Sequence, residues 1–230
     1  MTKRCNLKCV HCYAHAKDAF FKGNELNTEE GKRLIDDLAQ FGSPVMLFSG
    51  GEPVLREDLP ELIDYAAKKG MRAVISTNGT LITEEKARIF ARFNLSYIGV
   101  SLDGIGDVND SFRGVKGAYN KALAGIRNAK KAGIKVGLRF TINKRNYKEI
   151  PQIFDLIDKE GIERVCFYHL VYAGRGSELI NEDLTHEEAR QSVDYILDRT
   201  KEFFDKGKPI EVLTVDNHAD GPYLYMRLLK

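Results

Sequence analysis

Short apolar runs alternate with amphipathic stretches along the chain from residue 27 onward. This alternation is typical of βα units around a parallel sheet. The predicted strands recur roughly every 25 to 35 residues, and right-handed crossovers between such units curl a sheet into a barrel. We therefore predict an α/β fold with a partial (βα)6 TIM-like barrel of parallel strands. The predicted strands are Val45–Phe48, Ala73–Ser76, Tyr97–Leu102, Lys135–Ile142, Arg164–His169 and Glu211–Val215.

The amphipathic stretches have recognisable helix ends. Asn27 followed by Glu30 predicts a capping box at the start of the first helix. Its buried stripe is predicted to contain Leu34, Ile35 and Leu38. The other predicted helices run over residues 58–69, 83–93, 119–131, 147–160 and 185–204.

Polar or glycine-rich residues follow four of the predicted strands. In barrels of this kind the working residues lie at the carboxyl ends of the strands. Four such strand ends at one edge of the sheet predict a ligand-binding site there. The segments are Ser49–Pro53, Thr77–Gly79, Ser101–Gly104 and Thr141–Asn143.

Composition limits the possible partners and compartment. Lysine and arginine total 35 against 33 for aspartate and glutamate, spread along the chain, which argues against a nucleic-acid surface. No apolar run approaches the length of a membrane span, and no signal peptide is recognisable. We expect a cytoplasmic protein with no nucleic-acid or membrane partner.

Three of the four cysteines stand close together, as Cys5, Cys9 and Cys12 in a CxxxCxxC run. A disulfide framework does not suit them, because three clustered cysteines cannot pair evenly. Three thiolates on one loop can hold three corners of a [4Fe–4S] cluster and leave the fourth iron open. Zinc is the alternative, since His15 would complete a Cys3His site. The spacing alone leaves both metals possible.

The order of the motifs carries a family resemblance. CxxxCxxC is followed by GGEP, STNG and SLDG on the ends of successive predicted strands. This combination resembles the radical S-adenosylmethionine enzymes over nearly the whole chain. The resemblance implies a [4Fe–4S] cluster held by the three cysteines, with S-adenosylmethionine on the open iron. It also implies reductive cleavage of that cofactor to a 5′-deoxyadenosyl radical, and it favours iron–sulfur over zinc.

The resemblance assigns cofactor contacts to the strand ends. Glu52 is expected to accept from the methionine ammonium, with Gly50 and Gly51 allowing close backbone approach and Pro53 fixing the turn. Arg139 could pair with the methionine carboxylate if it points inward, although an outward-facing barrel arginine is the alternative.

The ribose and adenine have their own expected contacts. Ser101 and Asp103 offer oxygens suited to ribose hydroxyls, and Asn78 is expected to join them. His11 stands where the family commonly places an aromatic residue near the adenine. Arg113 either covers the cofactor or belongs to a structural loop.

The C-terminal third resembles a narrower group. The runs FYHLVYAGRG and EVLTVDNHADGPYLY are similar to radical enzymes of alternative haem and haem d1 biosynthesis, which act on sirohaem-derived iron tetrapyrroles. The nearest likeness is to enzymes that remove acetate side chains from 12,18-didecarboxysirohaem. Arg175 is then expected to bind a substrate carboxylate, unless it is a solvent-facing turn residue. His218, flanked by Asp216 and Asp220, is the predicted substrate-side residue, and His169 is a weaker candidate than a core histidine.

Other functions stay open at this level. A haem d1 enzyme, a peptide-modifying radical enzyme, and a non-catalytic zinc or iron–sulfur module are the alternatives. An enzyme of this kind also needs an electron donor such as ferredoxin or flavodoxin. We predict a radical S-adenosylmethionine barrel over residues 1–206 and the start of a C-terminal extension over residues 207–230. Residues 1–4 are too short for a first strand, so we expect that strand to be missing. Related tetrapyrrole enzymes carry a cysteine-rich C-terminal region for an auxiliary cluster, and this sequence has no second cysteine group, so we expect that region to be missing too.

Overall fold

Six parallel strands form one sheet in the computed structural model, which describes residues 1–229. The strands lie side by side in chain order, β1 to β6, and each neighbouring pair is parallel. This arrangement confirms the predicted α/β fold with an open, partial barrel. The strands are β1 (Val45–Phe48), β2 (Arg72–Thr77), β3 (Tyr97–Ser101), β4 (Lys135–Thr141), β5 (Arg164–Tyr168) and β6 (Glu211–Val215).

Helices connect the strands, as parallel pairing requires. Most lie within one or two residues of the predicted bounds, whereas residues 147–149 form a separate 3₁₀ turn before α6. The helices are α1 (Thr28–Gln40), α2 (Leu59–Lys68), α3 (Glu84–Arg92), α4 (Asp107–Arg113), α5 (Ala118–Lys131), α6 (Ile150–Glu160), α7 (His186–Asp205) and α8 (Asp220–Leu228).

The predicted capping box of α1 is present. The Asn27 side chain accepts from the Glu30 backbone N–H, and the Glu30 carboxylate accepts from the Asn27 N–H. The buried stripe of this helix is narrower than predicted. Ile35 is buried, but Leu34 is 42% exposed, because the stripe that α1 turns towards the core does not include it.

The two faces of the sheet differ in chemistry because side chains alternate along each strand. Buried apolar residues on one face pack under the helices and form the main core, with Phe48, Phe140 and Phe167 among its largest members. The other face carries Ser101 and Arg139, which are paired in register. The inner face of the partial barrel is therefore polar near the carboxyl ends of the strands.

Three segments differ from the predicted pattern. The short helix α4 has only two apolar residues, Val108 and Phe112, which are too few for a periodic pattern to predict a helix, and Gly114 ends it in the left-handed conformation. Residues 174–182 form 3₁₀ turns, and no element was predicted for this segment. Helix α8 begins with Asp220, Gly221 and Pro222, which resemble a polar turn in sequence.

The sheet continues past residue 206, where a domain boundary was predicted. Strand β6 pairs with β5 from Arg164↔Glu211 to Tyr168↔Val215. The boundary therefore falls between α7 and β6 and stays a prediction. Within residues 1–229 no helix is both long and apolar enough to cross a membrane.

Candidate functional site

A cavity of ≈ 420 Å³ lies at the carboxyl ends of the strands. All three clustered cysteines line it, together with residues from several strand ends and from the segment after β5. Of the predicted site residues, it brings together His11, Gly50, Gly51, Asn78, Ser101, Arg113, Arg139 and Arg175 with Cys5, Cys9 and Cys12. Glu52, Pro53, Asp103 and His218 do not line it.

The cysteines lie on a loop (residues 4–17, the cysteine loop) that is closed by backbone pairing. Arg4 and Lys17 form a parallel bridge, and the Cys5 N–H donates to the Lys17 carbonyl at 2.9 Å. The loop sits on the GGEP segment, where the Glu52 N–H donates to the Arg4 carbonyl at 2.7 Å. A Cβ at Gly51 would collide with that carbonyl, so glycine is needed for this close approach.

Glu52 joins two strand ends and does not face the cavity. Its side chain is fully buried and accepts from the Thr77 hydroxyl at 2.7 Å, the Asn78 N–H at 2.8 Å and the Val54 N–H at 3.1 Å. Burial raises the pKa of this carboxyl, and the three donors oppose that rise. In this arrangement the Glu52 carboxylate is bonded to these three donors and does not face the cavity, where a methionine ammonium would lie. Pro53 is buried beside it and starts a 3₁₀ turn.

Asn78 links the end of β2 to the cysteine loop. Its amide N–H donates to the Asn6 side-chain oxygen at 2.9 Å and lies 3.9 Å from the Cys5 sulfur. The Asn6 amide in turn donates to the Thr80 hydroxyl at 2.8 Å. Sequence reasoning missed Asn6 and Thr80, because a side chain on a loop carries no periodic signal.

Asp103 is fully buried at the end of β3 and pairs with the Arg113 guanidinium. Its other oxygen accepts from the Thr141 N–H at 2.8 Å. His11 stacks on Phe112 with ring centroids 4.5 Å apart, and its Nε2 lies 3.6 Å from Asp103. Burial lowers the pKa of His11 to about 4, so the imidazole is neutral. Asp103 is thus an anchor behind the cavity wall, whereas His11 reaches the cavity.

Arg139 points inward from β4, which resolves the orientation that the sequence left open. It lines the cavity, and its guanidinium carbon lies 4.8 Å from the Tyr168 ring centroid. Gly99, across the inner face, makes room for it, since a Cβ there would lie 3.0 Å from the Arg139 Cδ. Ser101 lines the cavity beside it in register.

Arg175 holds the cysteine loop from the opposite side. Its Nε donates to the Cys9 carbonyl at 2.8 Å, and a terminal N–H donates to the Ala16 carbonyl at 3.1 Å. Its backbone N–H donates to the Cys12 carbonyl at 3.0 Å. These bonds occupy much of the guanidinium that was predicted to bind a substrate carboxylate.

The histidine at the cavity is His169 and not His218. His218 is exposed in the turn between β6 and α8, because the tight turn after β6 directs it away from the strand ends. His169 follows β5, lines the cavity, and its Nε2 lies 2.9 Å from an Asp220 carboxylate oxygen. Asp216 also lines the cavity and has a positive φ of 69°. Tyr168 was missed, because its place on the inner face depends on the register between β5 and β4, which the sequence does not show.

The three thiols fit a cluster site. Cys5 and Cys9 are buried, and burial raises the pKa of Cys5 to about 11 and that of Cys9 in the same direction. Thiolates at such positions need cationic partners, which the irons of a cluster supply. Backbone N–H groups of Leu7 and Ala16 lie 3.4 Å from the Cys5 and Cys12 sulfurs, respectively. Such donors are typical around cluster thiolates.

The alternative zinc ligand set is not assembled. His15 is exposed with a φ of 48° and does not line the cavity. In the part of the chain that the structure describes, no three His, Cys, Asp or Glu side chains converge as ligands of a single metal ion.

Comparison with known proteins gives two related sequences of high identity. The chain is 69% identical over 230 residues to Fe-coproporphyrin III synthase of Methanosarcina barkeri, covering 100% of this chain and 57% of that protein. It is 44% identical over 224 residues to pre-heme d1 synthase of Dinoroseobacter shibae, covering 97% of this chain and 55% of that protein. The chain therefore spans about half the length of the curated relatives it matches.

The fold is shared with a solved structure of lower identity. Streptococcus suis SuiB bound to the precursor peptide SuiA superposes with a TM-score of 0.80 at 20% identity, covering 97% of this chain and 49% of that one. The model of the radical SAM superfamily matches residues 1–157, which include the cysteine loop and the ends of β1 to β4. The chain belongs to the radical SAM superfamily.

Proposed function

We propose that the chain binds a [4Fe–4S] cluster and S-adenosylmethionine in the cavity at the strand ends. The observation that carries this proposal is the convergence of Cys5, Cys9 and Cys12 on one cavity with the polar strand ends. When bound, the cluster and cofactor supply one-electron reduction of a sulfonium and, through it, radical chemistry on substrate carbon. An external donor of the ferredoxin or flavodoxin class would deliver the electron.

The residues at the cavity divide into those that contact the cofactor and those that position others. We assign the cluster to the three cysteines, and cofactor contacts to Gly50, Gly51, Asn78, Ser101 and Arg139. Arg139 offers an inward cation for a carboxylate, and His11 offers a neutral ring. Glu52, Pro53 and Asp103 act through other groups in this arrangement, because all three are buried away from the cavity.

We propose an iron tetrapyrrole derived from sirohaem as the substrate, with acetate removal from 12,18-didecarboxysirohaem as the reaction. The names of two relatives at 69% and 44% identity support this class of substrate. The cavity also suits it, because Tyr168, Leu170 and Val171 give one wall an aromatic and apolar surface. Modification of a haem d1 precursor is the second candidate, favoured by the relative at 44% identity.

His169 is the substrate-side residue that we propose in place of His218. The Asp220 carboxylate at Nε2 fixes the ring orientation and leaves Nδ1 as the second working nitrogen. Asp220 is buried, so its charge is poorly screened. The pair can therefore hold or release a proton at the substrate side of the cavity.

Anaerobic reconstitution tests the proposed function. The chain is loaded with iron and sulfide, reduced with dithionite, and supplied with S-adenosylmethionine with and without didecarboxysirohaem. We expect about four irons and four sulfides per chain, formation of 5′-deoxyadenosine, and loss of acetate from the tetrapyrrole. One zinc per chain without sulfide would overturn the cofactor assignment. Stimulation by a peptide and not by the tetrapyrrole would overturn the substrate.

A further inference from the structure

The end of helix α4 accepts hydrogen bonds from the backbone on both sides of Cys9. The Lys8 N–H donates to the Arg113 carbonyl and the Val10 N–H donates to the Phe112 carbonyl, both at 3.0 Å. Gly114 follows in the left-handed conformation with a φ of 70°, and a Cβ there would collide with the Lys8 carbonyl. The middle cysteine is therefore fixed to α4, whereas the cysteine loop elsewhere contacts other elements.

The Arg113 side chain reaches the Cys9 sulfur from the same helix end. One terminal nitrogen lies 3.6 Å from Sγ, and the other pairs with the Asp103 carboxylate. Arg113 is 7% exposed and Asp103 is fully buried. His11 and Phe112 stack beside the pair, and Arg113 itself contributes to the cavity lining whereas Asp103 does not. The Cys9 sulfur, the Arg113 guanidinium and the Asp103 carboxylate thus follow one another from the cavity wall into the protein.

The charges of Arg113 and Asp103 must influence the reduction potential of a cluster bound through Cys9. A buried charge acts through a low effective dielectric, so its effect on a nearby redox centre exceeds that of a surface charge. Hydrogen bonds to ligand sulfur and the local net charge are among the factors that set cluster potentials. A cation close to sulfur favours the state with one more electron, and the more distant carboxylate opposes it.

We propose that Arg113 and Asp103 form a charge pair that sets the reduction potential of the cluster through Cys9. Arg113 raises the potential, and Asp103 both positions Arg113 and limits the rise. In this role both residues act through Cys9 and not on the reacting atoms, so both are positioning residues. The inference rests on the cluster in the proposed function and adds a control of its one-electron reduction, in which no bond forms or breaks.

Two substitutions with opposite expected signs test this pair. In Arg113→Gln, loss of the cation should lower the potential, with reduction about tenfold less favourable, or about 59 mV for one electron. In Asp103→Asn, the unopposed cation should raise the potential by a similar amount. The potential is measured by redox titration of the reconstituted chain, monitored by electron paramagnetic resonance. Iron and sulfide content is measured on each sample.

Arg127→Gln serves as the matched control. This arginine lies on the exposed face of α5 and pairs with Glu160, so its loss should leave the potential unchanged. Shifts of the same sign in both test variants, or no shift in either, would overturn the inference. Loss of cluster from both variants would also overturn it, since the pair would then be structural. If the unaltered chain takes up no cluster, the proposed function itself fails, and this outcome is distinct from the others.

Discussion

The two sides of the cavity hold their polar side chains in different ways. On the side built from the cysteine loop and the ends of β1 to β4, Glu52 and Asp103 are fully buried and bonded to neighbouring elements. On the side built from β5, β6 and α8, Tyr172 is 49% exposed and His218 lies in an exposed turn. One pair, the half-buried His169 with the buried Asp220, lies on that second side.

The first side of the cavity therefore has polar side chains held in fixed positions, whereas the second side is more exposed to solvent. Charges behind the first side are desolvated and paired, so they can hold a cofactor in one geometry but tolerate little change. The second side has few fixed polar groups, which suits a large substrate whose remaining contacts lie elsewhere. We therefore expect substitutions on the first side to affect cluster content and folding, and those on the second to affect turnover.

Cys9→Ala should give the largest effect on the first side. A cluster held by two protein thiolates loses a corner, so we expect loss of both cluster and cofactor cleavage. Iron and sulfide analysis and the yield of 5′-deoxyadenosine measure it. Cys166→Ala is the matched control, because Cys166 is also buried but does not line the cavity. Full cluster content in Cys9→Ala would contradict the assignment.

His169→Gln should give the next largest effect, and on the second side only. Loss of a positioned proton donor or acceptor lowers turnover by about a hundredfold. Cluster content and binding of S-adenosylmethionine should stay as in the unaltered chain. His218→Gln is the control and should turn over normally, since that side chain is exposed. A larger loss in His218→Gln than in His169→Gln would reverse the assignment of the two histidines.

Glu52→Gln should destabilise the fold. One carboxylate oxygen becomes an amide that faces the N–H and O–H donors of β2, and an unmet buried donor costs about 1–3 kcal/mol in the free energy of unfolding. Denaturant unfolding of the chain measures this change. Glu85→Gln on the exposed face of α3 should leave stability within about 0.5 kcal/mol. Equal stability of the two variants would show that the Glu52 bonds contribute nothing net.

Arg175→Lys should give the smallest effect. It distinguishes a role of Arg175 in holding the cysteine loop from a role in binding a substrate carboxylate. Lysine cannot donate to the Cys9 and Ala16 carbonyls in the same planar geometry. If the bonds to the loop dominate, iron per chain falls a few-fold while the KM for the tetrapyrrole of the remaining holoenzyme is unchanged. A raised KM with full cluster content would instead restore the substrate-binding role predicted from sequence.

The sequence predicted the sheet and the proximity of the three cysteines well, because both follow from local patterns. Parallel strands are short apolar runs, and even the edge strands Val45–Phe48 and Glu211–Val215 have the predicted bounds. Cys5, Cys9 and Cys12 lie within eight residues of one another, so their proximity needs no tertiary information. Sequence also found the four polar strand ends, because parallel strands direct their carboxyl ends to one rim.

The roles of individual polar residues were harder to predict. Glu52 and Asp103 stand in motifs that resemble cofactor contacts, yet their side chains bond to neighbouring backbone and to Arg113. Rotamers and burial decide this difference, and neither is visible in spacing. The choice between His169 and His218 likewise depended on helix α8, whose first residues resemble a turn.

Electron paramagnetic resonance of the reduced, reconstituted chain tests the central claim most directly. The claim is that the three-cysteine loop holds a cluster with one iron open to S-adenosylmethionine. We predict a [4Fe–4S]⁺ spectrum that changes when S-adenosylmethionine is added and is absent from Cys9→Ala. A cluster spectrum that does not respond to the cofactor, or one that persists in Cys9→Ala, would contradict the account.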